Sequence, residues 1–193
     1  MTFSAAALFV APPASAQMTA ATGDQAFVTQ AAQGGMAEVA DATLASTRAS
    51  SASVKAYAQK MVADHTKANA QLAAIARKEK FTLPSGIGDD NAQLKGALGK
   101  LKGKTFDVSY LQGQVQGHEK MEQVFQKEIS TGRNAELVAF AKTTLPTVEK
   151  HLALAKSDTM RVEAGTSGGS STNTTPGEKS TPVASPAPAP TQT

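Results

Sequence analysis

The sequence predicts an all-α protein: an antiparallel four-helix bundle with a short extra helix between its second and third long helices. Three observations lead there. Four long stretches carry apolar residues at the alternating three-and-four spacing of a helix face. Short polar connections join the first stretch to the second and the third to the fourth, which makes each pair antiparallel neighbours. Alanine is abundant, aromatic residues are only 5% of the chain, and tryptophan and cysteine are absent. That composition favours closely packed helices over strands.

Ahead of the helices, Phe3 to Ala11 form a short apolar run, followed by Pro12-Pro13 and then Ala14-Ser15-Ala16. An apolar core, a helix breaker and an A-x-A site make the pattern of a secretion signal. Residues 1–16 are therefore expected to be cleaved off after Ala16, delivering a periplasmic chain that begins at Gln17. No Lys or Arg precedes the apolar run, so either the start lies upstream or the amino terminus supplies the positive charge. The run is too short to span a bilayer and no later segment is apolar enough, so the expected product is soluble, with no transmembrane segment.

The first long helix is expected from about Asp24, its N-cap after Gly23, to Arg48. The second runs from about Ser53 to Lys80 and stops before the Leu83-Pro84-Ser85-Gly86 breaker. A short helix over Asp90 to Leu101 ends at Gly103. The third long helix spans Thr105 to Ser130, Gly132 turns the chain, and Asn134 caps a fourth helix that reaches Met160. The bundle thus occupies residues 17–160. Residues 161–193 are dominated by Gly, Ser, Thr, Pro and Ala and cannot bury enough apolar surface to offset their ordering entropy, so a disordered tail is expected.

The formal charge is +3, and the tail contributes nothing to it. Nucleic-acid binding would want a basic stripe interleaved with stacking aromatics, and there is none. The densest basic group, Lys95, Lys100, Lys102 and Lys104, reads as a solvated surface. Without cysteine there are no disulfides and no thiolate metal sites.

Neighbouring antiparallel helices bury residues spaced alternately three and four apart. The second helix follows this rhythm through Val54, Ala58, Met61, His65, Ala68, Leu72 and Ile75. The third gives Val108, Leu111, Val115, His118, Glu122, Phe125 and Ile129. The fourth gives Leu137, Ala141, Thr144, Val148, His151 and Ala155, and the first Val28, Ala31, Gly35, Glu38, Ala42 and Ala45. Near the middle of each seam stands one ionisable residue: Glu38, His65, His118 and His151. Mid-helix positions of antiparallel helices share a depth, so the four are expected to meet.

Two readings of that cluster stay open. Three imidazoles and a carboxylate can hold one transition metal ion such as zinc, iron, copper or manganese. Alternatively they form a hydrogen-bonded polar layer that fixes helix register. Burying them unpaired would be costly, so burial demands one or the other. Glu122, four residues after His118, is a candidate ligand or supporting partner, and Met61, four before His65, reads as core. Gly34 and Gly35 precede Glu38 and allow a close helix approach, room for a ligand, or a helix break. Pro146 removes a backbone hydrogen bond near His151.

Several motifs belong together: Asp24-Gln25-x-Phe27, Gly34-Gly35-Met36-Ala37-Glu38-Val39, Val54-Lys55-x-Tyr57-Ala58, Met61 through Asn69, Phe106-Asp107 with Tyr110, His118-Glu119, and Thr144-Leu145-Pro146 with His151-Leu152. In these the chain resembles the exported bacterial family catalogued as domain of unknown function 4142. The resemblance covers about Asp24 to Ala155 and implies a ferritin-like, left-handed four-helix bundle and export from the bacterial cytoplasm, and it assigns no activity. Glu38 and the three histidines coincide with its motif positions. One departure is Gly117, where the family often has an Asp before the histidine, as in Asp64-His65.

A ferritin-like fold suggests di-iron oxidase chemistry, which uses Glu-x-x-His on two helices. Val62, Val115 and Val148 stand three residues before the histidines, so that centre is disfavoured. Phosphate loops, a nucleophile elbow and a His-Glu-x-x-His motif are absent, and nothing argues for nucleophilic catalysis. Three functions remain open: an exported helical binding or stress-related module with a mononuclear metal site, a metal-dependent oxidoreductase of ferritin-like descent, and a purely structural envelope protein.

Overall fold

A computed structural model describes residues 14–165, with side chains from residue 23 onward. Those residues form five helices and no strand: α1 (Ala14–Arg48), α2 (Ala52–Glu79), α3 (Asp89–Leu98), α4 (Gly103–Thr131) and α5 (Ala135–Glu163). Of the expected signal segment 1–16, residues 1–13 lie outside the described residues and Ala14–Ala16 open α1; of the expected tail 161–193, residues 166–193 lie outside them and 161–163 close α5. None of the helices is long and apolar enough to cross a membrane.

The four long helices carry the expected apolar spacing, and burial follows it along α1, α2 and α5 more closely than along α4. α1 packs on α2 and α4, and α5 packs on α4 and α2, while α3 lies across α1 and α4. α3 itself contributes no buried residue. Apolar side chains fall into two clusters. One gathers Ala42, Ala45, Val54, Tyr57, Met61, Phe106, Tyr110 and Ala155, and the other Phe27, Val28, Leu72, Phe125, Leu137 and Phe140. Along α2, α4 and α5 the histidines fall between residues of the first cluster and residues of the second, so the polar groups divide the core.

The helix ends follow local chemistry. The Asn134 side chain accepts from the backbone N–H groups of Glu136 and Leu137 at 3.0 Å, the expected cap of α5. α2 closes on Lys80, which takes the left-handed conformation at φ 63°, and Phe81 N–H donates back to the Ala76 carbonyl at 2.8 Å. α5 continues to Glu163, past the expected end at Met160. Gly132 is required by proximity: a Cβ there would lie 2.6 Å from the Glu128 carbonyl oxygen.

Asp24 does not cap α1. The helix begins ten residues earlier, at Ala14, and runs through Gly23 without a break. The Asp24 carboxylate, 4% exposed, instead accepts from the backbone N–H groups of Arg133 and Asn134, both at 2.9 Å, in the turn between α4 and α5. Asp107, near the start of α4, does the same for the other turn, accepting from Ser50 N–H at 2.9 Å and Ser51 N–H at 2.8 Å. Each carboxylate satisfies donors that no helix satisfies.

Of the three roles open to Gly34 and Gly35 the structure supports one, and the expected seam of α4 needs correction. Gly34 and Gly35 do not break α1; a Cβ at Gly35 would meet Asn69 Oδ1 of α2 at 2.0 Å, and one at Gly34 would meet Met121 Cε of α4. They serve close approach. On α4 the buried face is turned from the expected seam: Gln114 and Glu128 are buried, while Val115 and Ile129 are only half-buried. Gln114 holds its place through Glu38 and Tyr57, whereas Glu128 Oε1 is buried without a partner.

Candidate metal centre

His65, His118 and His151 come from α2, α4 and α5 and meet inside the bundle. Their ring centroids are 5.6 Å apart for His65–His118, 5.4 Å for His65–His151 and 5.6 Å for His118–His151. One nitrogen from each ring lies within 4.8 Å of the other two. His118 and His151 are 1% exposed and His65 is 8% exposed.

Two of the rings are held from behind. His118 Nδ1 sits 2.8 Å from the Gln114 carbonyl oxygen. A carbonyl only accepts, so Nδ1 carries the proton and Nε2 keeps the lone pair. His151 Nε2 sits 2.8 Å from Asp64 Oδ2, which leaves its Nδ1 with the lone pair. His118 Nε2, His151 Nδ1 and His65 Nε2 are all buried and have no hydrogen-bond partner. A carbonyl or carboxylate behind one ring nitrogen, with the other left free, is how metal-binding histidines are oriented.

Electrostatics keeps the imidazoles neutral. Burial, followed by the fields of His118 and His151, pushes His65 down to about 3. Burial also lowers His118 and His151, against the hydrogen bonds that they donate to the Gln114 carbonyl and to Asp64. Burial works to raise Asp64, but the hydrogen bonds from Lys60, at 2.8 Å, and from His151 outweigh it and hold the carboxyl below its ordinary value. An ionised Asp64 thus faces the back of a neutral His151.

Glu38 is not part of this convergence. Its carboxylate lies 3.7 Å from His118 Nδ1, across the ring from Nε2, and accepts from Gln114 Nε2 at 2.7 Å. Burial, against that hydrogen bond, pushes Glu38 up to about 7. A Cβ at Gly117 would come 3.0 Å from Glu38 Oε1, so an Asp at 117 would crowd this carboxylate. Glu122 also stays apart, accepting from Gln126 Nε2 at 3.0 Å on the exposed side of α4. The supporting carboxylate is Asp64, whose one sequence signal was its place in the Asp-His dipeptide. Gln114 gave none; it joins Glu38, the His118 ring and the Tyr57 hydroxyl, which donates to Gln114 Oε1 at 3.2 Å.

A small cavity of about 30 Å³ adjoins the cluster, lined by Gly35, His65, Asn69, Thr144 and His151 among others. It has room for about one water-sized group, and its walls are mostly apolar, with Leu72, Met121, Phe125, Phe140 and Val148 among them. Three converging imidazoles with a small space beside them can hold a metal ion and leave one coordination position open.

No curated protein and no solved structure matches this chain. A family model described as "Domain of unknown function (DUF4142)" matches residues 9–157. Over that length, which takes in all three histidines, Glu38 and the two turn-holding aspartates, the chain belongs to the DUF4142 family.

Proposed function

We propose that this protein is an exported metal-binding helical bundle whose His65, His118 and His151 hold one transition metal ion. The observation that carries the reading is the trio of buried, unpartnered imidazole nitrogens within 4.8 Å of one another. A hydrogen-bonded polar layer would give those nitrogens partners, and the structure gives them none. Tetrahedral coordination at about 2.0–2.1 Å from each nitrogen brings ligand nitrogens to roughly 3.4 Å apart. Small rotations of the three rings close that gap. Imidazole donors suit zinc, copper and iron better than magnesium or calcium. Glu38 supports His118 from the side of Nδ1 rather than as a fourth ligand, and the fourth position is left to water or a small molecule.

The scaffold reading is an antiparallel, ferritin-like four-helix bundle. It is supported by Asp24, early in α1, holding the turn after α4, and by Asp107, early in α4, holding the turn after α1. Residues 80–102 then have to travel the length of the bundle from the end of α2 to the start of α4, the long crossover of such folds. Export rests on the apolar run 3–11 and the A-x-A at 14–16.

Metal analysis of untagged protein purified from the periplasm tests both. The expected result is one equivalent of metal per chain, beginning at Gln17, and its loss in His118→Ala. Metal-free wild-type protein that gains no thermal stability on titration with zinc, copper(II) or iron(II) would overturn the metal reading. Turnover of oxygen or peroxide by the loaded protein would mark it as an oxidoreductase.

A further inference from the structure

A second cavity, of about 670 Å³, lies between α1, α3 and α4. It exists because α3 bridges the two long helices without burying a side chain between them. Its walls include Glu38 and Asp41 from α1, Tyr110 and Gln114 from α4, and Leu94 and Leu98 from α3. Leu94 is 67% exposed, an apolar side chain left at the wall of a polar space.

Two groups in this cavity lack partners. Tyr110 is 1% exposed, and its hydroxyl is buried with no hydrogen bond. Asp41 Oδ1 is likewise buried and unpartnered. Tyr110 feels the charges of both Glu38 and Asp41, so its hydroxyl shares their neighbourhood. Glu38 and Asp41 are three residues apart and project from one helix face. Among the described residues neither forms an ion pair with a lysine or arginine, although Lys120 lines the same cavity. Burial, then the charge of Glu38, raises Asp41 to about 6 against a weaker pull from Lys95.

The cavity therefore holds two carboxyl groups that no ion pair with a lysine or arginine completes and a buried Asp41 oxygen with no donor, although Lys120 lies on its wall. Its volume falls in the range of small-molecule sites and far exceeds a bare ion. Calcium or magnesium takes six or more oxygens, and Glu38 Oε2 is already engaged by Gln114. An ammonium supplies three donors and a charge, and a short hydrocarbon suits the leucines. We propose that this cavity binds an aliphatic amine, with its ammonium between Glu38 and Asp41 beside the Tyr110 hydroxyl and its chain against Leu94 and Leu98. The site is separate from the histidine lone pairs and does not depend on metal.

Calorimetric titration of the full chain with 1-aminohexane tests this, with 1-hexanol and magnesium chloride as controls. Saturable binding of the amine is expected, at least tenfold tighter than the alcohol, with no competition from magnesium. Asp41→Asn should weaken it at least tenfold. Gly113→Leu, at a cavity-lining position where a Cβ meets nothing within 4 Å, should fill the space and block binding while circular dichroism and melting stay as in the wild type. Absence of amine binding, equal affinity for the alcohol, displacement by magnesium, or unchanged affinity in a folded Asp41→Asn protein would each overturn the proposal. Metal content measured on the same samples reports the histidine site independently.

Discussion

Asp64 precedes His65 in the chain, yet it orients a different histidine: its Oδ2 lies 2.8 Å from Nε2 of His151, across the contact between α2 and α5. The dipeptide thus serves two helices. One residue presents a free imidazole nitrogen to the cluster, and its neighbour fixes the tautomer of the ring opposite.

Asp64→Asn keeps the size of that side chain and removes its charge. An amide can still meet Nε2 through its oxygen, but it no longer raises the basicity of the ring. Supporting partners of this kind are worth roughly 10–100-fold in metal affinity. Asp64→Asn should weaken metal binding by about that factor with little change in the melting of the metal-free protein, because Asp64 is one-third exposed. Competition with a chromophoric chelator measures it. Unaltered affinity would remove Asp64 from the site.

How much of this was legible beforehand depends on the kind of signal. Helix number and order were readable because apolar spacing and turn residues are local. Three of the cluster residues were readable because histidines on apolar seams stand out. The buried face of α4 was not, since Gln114 looks like a surface residue until its partners Glu38 and Tyr57 are known, and nothing local marks Glu128 as buried. Asp24 after Gly23 carries the local signature of a helix cap, and a carboxylate that caps a turn more than a hundred residues away carries the same one. Glu38 was placed at the right depth. Which edge of His118 it faces depends on helix rotation, which spacing alone does not give.

In the metal-free protein the three histidines work against stability in mild acid, while the buried carboxyls of Glu38, Asp41 and Glu128, raised to about 7, 6 and 7, work for it. All three histidines have folded values below the unfolded value near 6.5, with His65 at about 3, so between those limits the unfolded chain binds more protons. Their contribution is complete above about pH 6.5 and is lost as pH falls, at up to about 1.4 kcal/mol per pH unit for each proton taken up. Glu38 acts in the opposite sense. Its folded value of about 7 lies above 4.5, so its contribution is present below pH 4.5 and is lost as pH rises through 7. Glu38→Gln removes that opposing slope. Melting curves of the metal-free variant between pH 7.5 and 4.5 should therefore fall more steeply than those of the wild type. Parallel curves would show that Glu38 is not held protonated by burial.

The two turn-holding aspartates predict a pattern of additivity. Asp24→Ala strips the acceptor from the N–H groups of Arg133 and Asn134, and Asp107→Ala strips it from Ser50 and Ser51. An unsatisfied buried donor costs about 1–3 kcal/mol, so each variant should lose roughly 2–4 kcal/mol in urea unfolding. Asp107 is the more enclosed, at 1% exposed against 4%, and its loss should be the larger. The two groups have no shared partner and hold different turns, so the double variant should equal the sum within about 0.5 kcal/mol. A sum falling short by more than that would mean that both carboxylates act through one shared rearrangement. An equal loss of metal in either single variant would place that rearrangement at the histidines, because His65, His118 and His151 are carried by the helices that these two turns join.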